Sequence, residues 1–212
     1  MYKRQDVGGT FTDLICFDSK SKSYNFTKVF TSPKNQSQGV LDAIDKASIN
    51  LKKQDLIIHG TTTTTNALLE RKISKTALIT TKGFRDVLEL GRRTRPFPYG
   101  LIADFKPLIP RNLRFEVEER IDFKGNVLKK LNESELLKIL EKIKELNCES
   151  IVIHFLHSYA NSYHEVKAKN LILKNWANKY VTAGHEIISE SREFERGVTA
   201  SINASVQPIR LN

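Results

Sequence analysis

The chain has 212 residues, 40% of them hydrophobic, and a formal net charge of +10. That is enough apolar side chain for a sizeable core in one domain or two small ones. No run of about 18 apolar residues occurs and the Lys-Arg-containing N-terminus leads into no signal-peptide core, which argues against a membrane span or secretion and for the cytoplasm.

Residues 2–5 are expected to form a first strand, although Lys3, Arg4 and Gln5 suit a strand buried on both faces poorly. The stretch Asp6-Val7-Gly8-Gly9-Thr10-Phe11-Thr12-Asp13 then makes a tight turn into the apolar run Leu14-Ile15-Cys16-Phe17. Two readings of the turn stand side by side. Gly8 and Gly9 lack a Cβ, so their N–H groups can approach an anion, with Thr10 and Thr12 adding hydroxyls and Asp6 placed to hold Mg²⁺ through water. The other reading is an ordinary Gly-Gly hairpin with solvated threonines. Residues 13–17 and 24–30 flank the polar cluster 18–23 and form a further hairpin, so three antiparallel strands open the chain.

Val40, Leu41, Ile44, Ala47 and Leu51 recur at helical spacing and predict a helix over residues 37–50. A strand at 56–58 runs into His59-Gly60-Thr61-Thr62-Thr63-Thr64-Thr65-Asn66. Gly60 permits a sharp turn, and Asn66 or a late threonine is placed to cap a helix beginning at Ala67. Hydroxyls and free N–H groups at a helix start favour an anion, while a solvated low-complexity loop is the competing reading. Residues 76–81 read as a strand and 84–90 as a short helix.

Strand, strand, strand, helix, strand, helix, strand is an order that resembles a ribonuclease-H-like domain of the actin, hexokinase and Hsp70 superfamily. Asp6 to Asp13, His59 to Arg71, Thr80-Thr-Lys-Gly-Phe-Arg-Asp-Val-Leu-Glu-Leu-Gly-Arg92 and Arg95-Pro96 together resemble the N-terminal region of the hydantoinase A/oxoprolinase family. Glu119-Arg-Ile-Asp122, Phe155-Leu-His-Ser-Tyr-Ala-Asn161 with His164-Glu165, and Ser191-Arg-Glu-Phe-Glu-Arg196 follow in the family's order. The resemblance implies residues 1–180 as that N-terminal region and 181–212 as the start of the following hydantoinase A domain. The implied fold is α/β, a ribonuclease-H-like domain with a further α/β segment, incomplete relative to the family.

In function, the resemblance implies part of an ATP-dependent hydrolase of cyclic amides, hydantoins or 5-oxoproline. The alternatives are a fragment of an ATP-dependent ketone carboxylase subunit and a non-catalytic remnant. ATP and Mg²⁺ are the implied cofactors. Asp6 is expected to take the metal, Gly8, Gly9, Thr10 and Thr12 the phosphates, Asp13 to orient the turn or the metal waters, Thr61, Thr62 and Thr63 to line the cleft, and His59 to serve as a catalytic candidate beside it. Because family members are much longer and their nucleotide lies between two such domains, a C-terminal half or a hydantoinase B-type subunit is the expected partner. The chain alone is expected to be inactive.

The second half reads as a separate α/β layer. Alternation over residues 115–123 and the turn Lys124-Gly125-Asn126 predict a hairpin, and Asn132 with Glu135 begins a helix whose Leu136, Leu140, Ile143 and Leu146 form one apolar face. A buried strand at 150–156, a helix capped by Ser162 and Glu165, a last strand at 181–188 and a final helix at 193–205 complete it. His154 and His157 lie three apart on a predicted strand and so face opposite sides, against a metal pair. Arg92, Arg93 and Arg95 form the one dense arginine group; they suit a carboxylate or phosphate clamp as well as an exposed basic turn. Lysines are otherwise scattered, so no nucleic-acid partner is expected. Cys16 and Cys148 lack metal or CxxC spacing and read as reduced, buried thiols.

Overall fold

Six residues, Tyr2–Val7, form the first strand (β1) despite their polar centre. Its place is set by backbone pairing on both edges: it runs antiparallel to β2 (Phe11–Asp18) and parallel to β4 (Leu56–Thr61). With β3 (Ser23–Phe30) the sheet order is β3-β2-β1-β4. The computed structural model of the chain describes residues 2–7, 10–19, 21–31, 36–50, 52, 55–92, 99 and 106–211. These fall into two compact units, Met1–Lys72 and Ile73–Asn212.

In the first unit, period-two alternation in β2 sends Thr12, Leu14 and Cys16 inward and leaves Phe11, Ile15 and Phe17 on the open face. Helix α1 (Gln36–Lys46) covers the inner face, and Gly39 makes that approach possible. A Cβ there would stand 3.0 Å from Thr12 Oγ1. Helix α1 ends four residues short of the predicted limit, at a turn through Ser48, whose φ is 51°. Helix α2 (Thr63–Leu69) begins earlier than expected, with Thr62 at the N-cap position, so Thr63, Thr64 and Thr65 lie in its first turn rather than in a loop. The antiparallel hairpins with parallel β4 are the ribonuclease-H-like opening of the α/β fold. The strand that follows α2 lies in a different sheet.

That strand, β5 (Thr76–Thr81), centres the second unit. Helix α3 (Val87–Leu90) follows, then β6 (Arg114–Val117), the short hairpin of β7 (Arg120–Ile121) and β8 (Val127–Lys129), α4 (Glu133–Glu145) and β9 (Ser150–His154). Helix α5 (Tyr163–Asn175), β10 (Val181–Ala183), α6 (Gly184–Ile187) and α7 (Glu193–Leu211) complete it. All four strands of the sheet β10-β9-β5-β6 are parallel. Every residue of β5 and β9 is buried, as central parallel strands require. Leu136, Ile139, Leu140 and Ile143 of α4 join that core, and Asn132 Oδ1 caps the helix by accepting from Glu135 N at 3.1 Å.

Two elements depart from expectation. The predicted strand 181–188 stops at Ala183 and becomes α6, and Glu165 does not cap α5 but turns inward. Residues 181–211 pack on β9 and β5 within the second unit.

Helix α7 approaches β9 through Gly197, Ala200, Ser201 and Ala204. A Cβ on Gly197 would lie 2.9 Å from His154 Cδ2 and 2.9 Å from Leu88 Cδ2. Alanine gains about 1 kcal/mol of helix propensity, but overpacking a fixed ring costs about 1–3 kcal/mol. Gly197→Ala is therefore expected to destabilise the unit by about 1 kcal/mol in urea denaturation; a stabilised variant would show that the ring moves aside.

Candidate functional site

Sheet register builds the first candidate site. Asp6 is the register partner of Asp13 in β2 and of Gly60 in β4, and Val7 pairs with Thr12 and Thr61. The C-terminal ends of β1 and β4 therefore lie side by side with the start of β2, although more than 50 residues separate them in sequence. Gly8 and Gly9 lie outside the described residues, as do the side chains of Asp6 and His59. His59 is the register partner of Gln5.

The flanking side chains differ in accessibility. Thr10 is exposed, and its carbonyl accepts from Thr31 N at 2.9 Å. Thr12 is fully buried, its Oγ1 2.9 Å from Thr31 Oγ1, so its hydroxyl braces the turn from the interior rather than lining its mouth. Asp13 Oδ1 is shielded from solvent and accepts no hydrogen bond; the Lys28 ammonium lies 3.4 Å away. Thr61 Oγ1 is 2.9 Å from Thr63 Oγ1 and accepts from Thr63 N at 3.3 Å, which locks the strand-to-helix corner.

A hydrated divalent cation fits this donor set. Mg²⁺ retains several waters and needs only one or two carboxylates, and the Asp13 carboxylate, paired with Lys28 beside the Asp6 register position, is one such group. Among the described residues there is no cluster of three His, Cys, Asp or Glu side chains able to hold a metal.

The second unit holds a buried polar network that composition and spacing did not predict. Three of the sequence blocks noted above, those of Glu119, Phe155 to Glu165 and Glu193 to Arg196, converge on the carboxyl ends of β5 and β9. There the chain connections diverge to opposite sides, the position at which open parallel sheets place ligands. Thr81 Oγ1 donates to the Glu119 carboxylate and accepts from Leu156 N at 3.0 Å. Glu119 Oε2 also lies 2.7 Å from His164 Nδ1. Glu165 accepts from Phe155 N at 2.8 Å and His185 N at 2.9 Å, and pairs with His185 Nδ1 at 2.7 Å.

Glu193 completes the group. It accepts from His157 N at 3.1 Å, lies 3.4 Å from His154 Nε2 and binds the Arg196 guanidinium. Arg196 also donates to the carbonyls of Phe155, at 3.1 Å, and Glu190, at 2.7 Å.

These environments set the proton affinities. Burial, reinforced by Arg196, pushes the His154 imidazole down to about 4. Burial also lowers His157, with Arg120 and Arg196 adding to it, and raises the Glu193 carboxyl against the pull of Arg196. At Glu165 burial acts upward, yet the bonds from His185 and Phe155 hold the carboxyl below its ordinary value. His157 has φ of 57°, a left-handed conformation that a non-glycine residue adopts at a cost of about 1–3 kcal/mol, and its backbone bond to Glu193 holds it there. Three carboxylate–imidazole pairs, Glu119 with His164, Glu165 with His185 and Glu193 with His154, thus gather at this end of the sheet. Arg92 pairs with Glu195, while Arg93 and Arg95 lie outside the described residues.

Residues 5–176 match the hydantoinase/oxoprolinase N-terminal region. The chain is 48% identical over 211 residues to an uncharacterized protein of Methanocaldococcus jannaschii, covering 98% of this chain and 31% of that one. Its fold superposes on a nucleotide-free structure of acetone carboxylase with a TM-score of 0.86 at 24% identity, covering 100% of this chain and 33% of that one. The ATP-dependent caprolactamase of Pseudomonas jessenii gives a TM-score of 0.82 at 26% identity over 99% of this chain and 32% of that one. The chain thus spans about a third of the length of these proteins. With that match running from the glycine turn through α5, the chain belongs to the hydantoinase/oxoprolinase family, as its N-terminal region.

Proposed function

We propose that this chain is the phosphate-binding N-terminal portion of an ATP-dependent enzyme that opens cyclic amides of the hydantoin or 5-oxoproline class. The observation that carries the reading is the register that sets Asp6 beside both Asp13 and Gly60, at the edge where β1, β2 and β4 meet. Gly8, Gly9 and Thr10 would receive the phosphates through backbone N–H and hydroxyl groups, with Thr12 bracing the turn. Thr61, Thr62 and Thr63 would close the neighbouring corner. Asp6 would hold Mg²⁺ through water, with Asp13 orienting that shell, and the cation would offset charge on the phosphate oxygens. When bound, the nucleotide supplies a phosphoryl group that turns a poor amide electrophile into one that water can open. His59 is the catalytic candidate beside this corner.

The rest of the enzyme, a C-terminal portion or a hydantoinase B-type subunit, would enclose the site and exclude water. Support comes from the open face of the first sheet, where Tyr24, Phe26 and Phe30 are 78%, 54% and 76% exposed. A cytoplasmic setting fits two free, buried cysteines. The 30% identity to the acetophenone carboxylase gamma subunit of Aromatoleum aromaticum supports a second reading, an ATP-dependent ketone carboxylase subunit. Assays of the chain together with that remaining portion, supplied with hydantoin or 5-oxoproline against ketone plus bicarbonate, separate the two.

Calorimetry tests the phosphate site itself. Binding of ATP is expected to require Mg²⁺ and to weaken about tenfold or more in Asp6→Ala. Equal affinity in the wild type and the variant would remove the assignment.

A further inference from the structure

We propose that the cleft between β6 and the first turns of α4 binds a small, multiply charged oxyanion, a phosphate or a dicarboxylate. This site lies wholly in the second unit and is independent of the glycine turn. Its volume is about 500 Å³, the size of a small-molecule pocket. One wall is β6, the edge strand of its sheet, and the other is α4, whose N-terminal turn contributes Asn132 and Glu135.

The chemistry of the walls is that of an anion site. Arg114 lines the cleft with only 2% of its surface exposed. Its Nε donates to Ile109 O at 2.9 Å and its Nη1 to Glu89 Oε2 at 2.9 Å, but its Nη2 has no partner. A buried donor left without an acceptor costs about 1–3 kcal/mol, so native proteins keep few of them. Arg85 on the same wall also has a buried Nε without a hydrogen-bond partner; Glu116 Oε2 is 3.9 Å away. Two guanidinium N–H donors on one wall match the forked acceptor of a carboxylate or phosphate.

The opposite wall carries the same sign. Lys138 and Lys142 occupy successive turns of α4, and the positive end of that 13-residue helix opens on the cleft. The two carboxylates present are already engaged: Glu116 Oε1 accepts from Gly83 N at 2.7 Å and Glu135 Oε2 from Glu118 N at 2.7 Å. Arg114 is itself paired with Glu89 and Asp86, so the basic excess that the cleft presents comes from Arg85, Lys138 and Lys142 against Glu116 and Glu135.

The test is calorimetric titration of the 212-residue chain at low ionic strength with inorganic phosphate and, separately, with succinate. Both are run without Mg²⁺, and the Arg85 and lysine variants, which leave the glycine turn intact, separate binding in this cleft from binding there. Saturable binding by at least one anion is expected, weakened about tenfold by Arg85→Gln and weakened again by Lys138→Gln with Lys142→Gln. The unfolding midpoint without ligand should stay unchanged in the Arg85 variant, since that side chain is one-third exposed, 33%. Binding of phosphate alone assigns a phosphate ester, and binding of succinate alone a carboxylate. Saturation by neither anion, or equal affinity after Arg85→Gln, overturns the site and leaves the proposal for Asp6 untouched.

Discussion

Replacing Arg196 with methionine is expected to lower the unfolding free energy of the second unit by about 3–5 kcal/mol, the range for breaking a buried ion pair by removing one partner. Arg196 is fully buried on α7 and ties three segments together: the Phe155 carbonyl after β9, the Glu190 carbonyl before α7 and the Glu193 carboxylate. Its guanidinium also stands 5.3 Å from the centre of the Tyr159 ring. Methionine fills most of the volume but satisfies none of these acceptors. The loss should therefore come from desolvated oxygens rather than from a cavity.

Trp176, the one tryptophan, packs against the core of the same unit and reports its unfolding in urea. If the unpaired Glu193 carboxylate is the main cost, Arg196→Met with Glu193→Gln should recover part of the loss. As a contrast, Lys167→Met, which breaks the solvent-exposed pair with Glu133, should leave the midpoint unchanged. A loss below about 1 kcal/mol for Arg196→Met would mean that water replaces the guanidinium.

Much of the second unit was legible because its elements obey local rules. The unbroken apolar runs of β5 and β9, the stripe of α4 and the Asn132 cap need no distant information. The errors came where a distant partner decides. Val181 to Ile188 reads as a strand by composition, but Gly184 passes close to His154 and Glu165, and Glu165 takes the His185 N–H that a strand ladder would use. The threonines after Gly60 read as loop because β-branched side chains are weak helix formers, yet Thr63 to Thr65 form the first turn of α2. Polar β1 forms because its backbone pairs on both edges.

The candidate sites follow the same division. The glycine turn and the threonine corner each showed their donor types in sequence, but their adjacency depends on the pairing of β1 with β4, a tertiary fact. His154 and His157 were expected to face opposite sides of one strand, but β9 ends at His154, and Glu193, 36 residues beyond His157, stands within 4.0 Å of a ring nitrogen of each. No local spacing carries that information.

The other large effect expected is on pH. His154 titrates in the fold at about 4 against an ordinary 6.5, so between those values the unfolded chain binds a proton that the folded chain refuses. Stability then rises with pH through that window, and full protonation on the unfolded side alone is worth about 3 kcal/mol at about 1.4 kcal/mol per pK unit. The groups facing the ring decide how much of this is seen: Glu193 and Arg196 from α7 and Glu165 from α5. Glu193 acts with the opposite sign. Its folded value is raised, so its contribution to stability is present below its ordinary 4.5 and is lost as pH rises through the folded value. Glu165, held low, contributes stability that is lost as pH falls. From pH 7 to 4.5 the His154 contribution falls by about 2 kcal/mol, partly offset by Glu193 and reinforced by Glu165. His154→Gln removes only the first of these. The variant's urea-unfolding free energy should therefore change less between pH 7 and pH 4.5 than that of the wild type, by about 2 kcal/mol, whatever its absolute stability. Parallel pH profiles for the two proteins would show that His154 takes up its proton inside the fold as readily as in water.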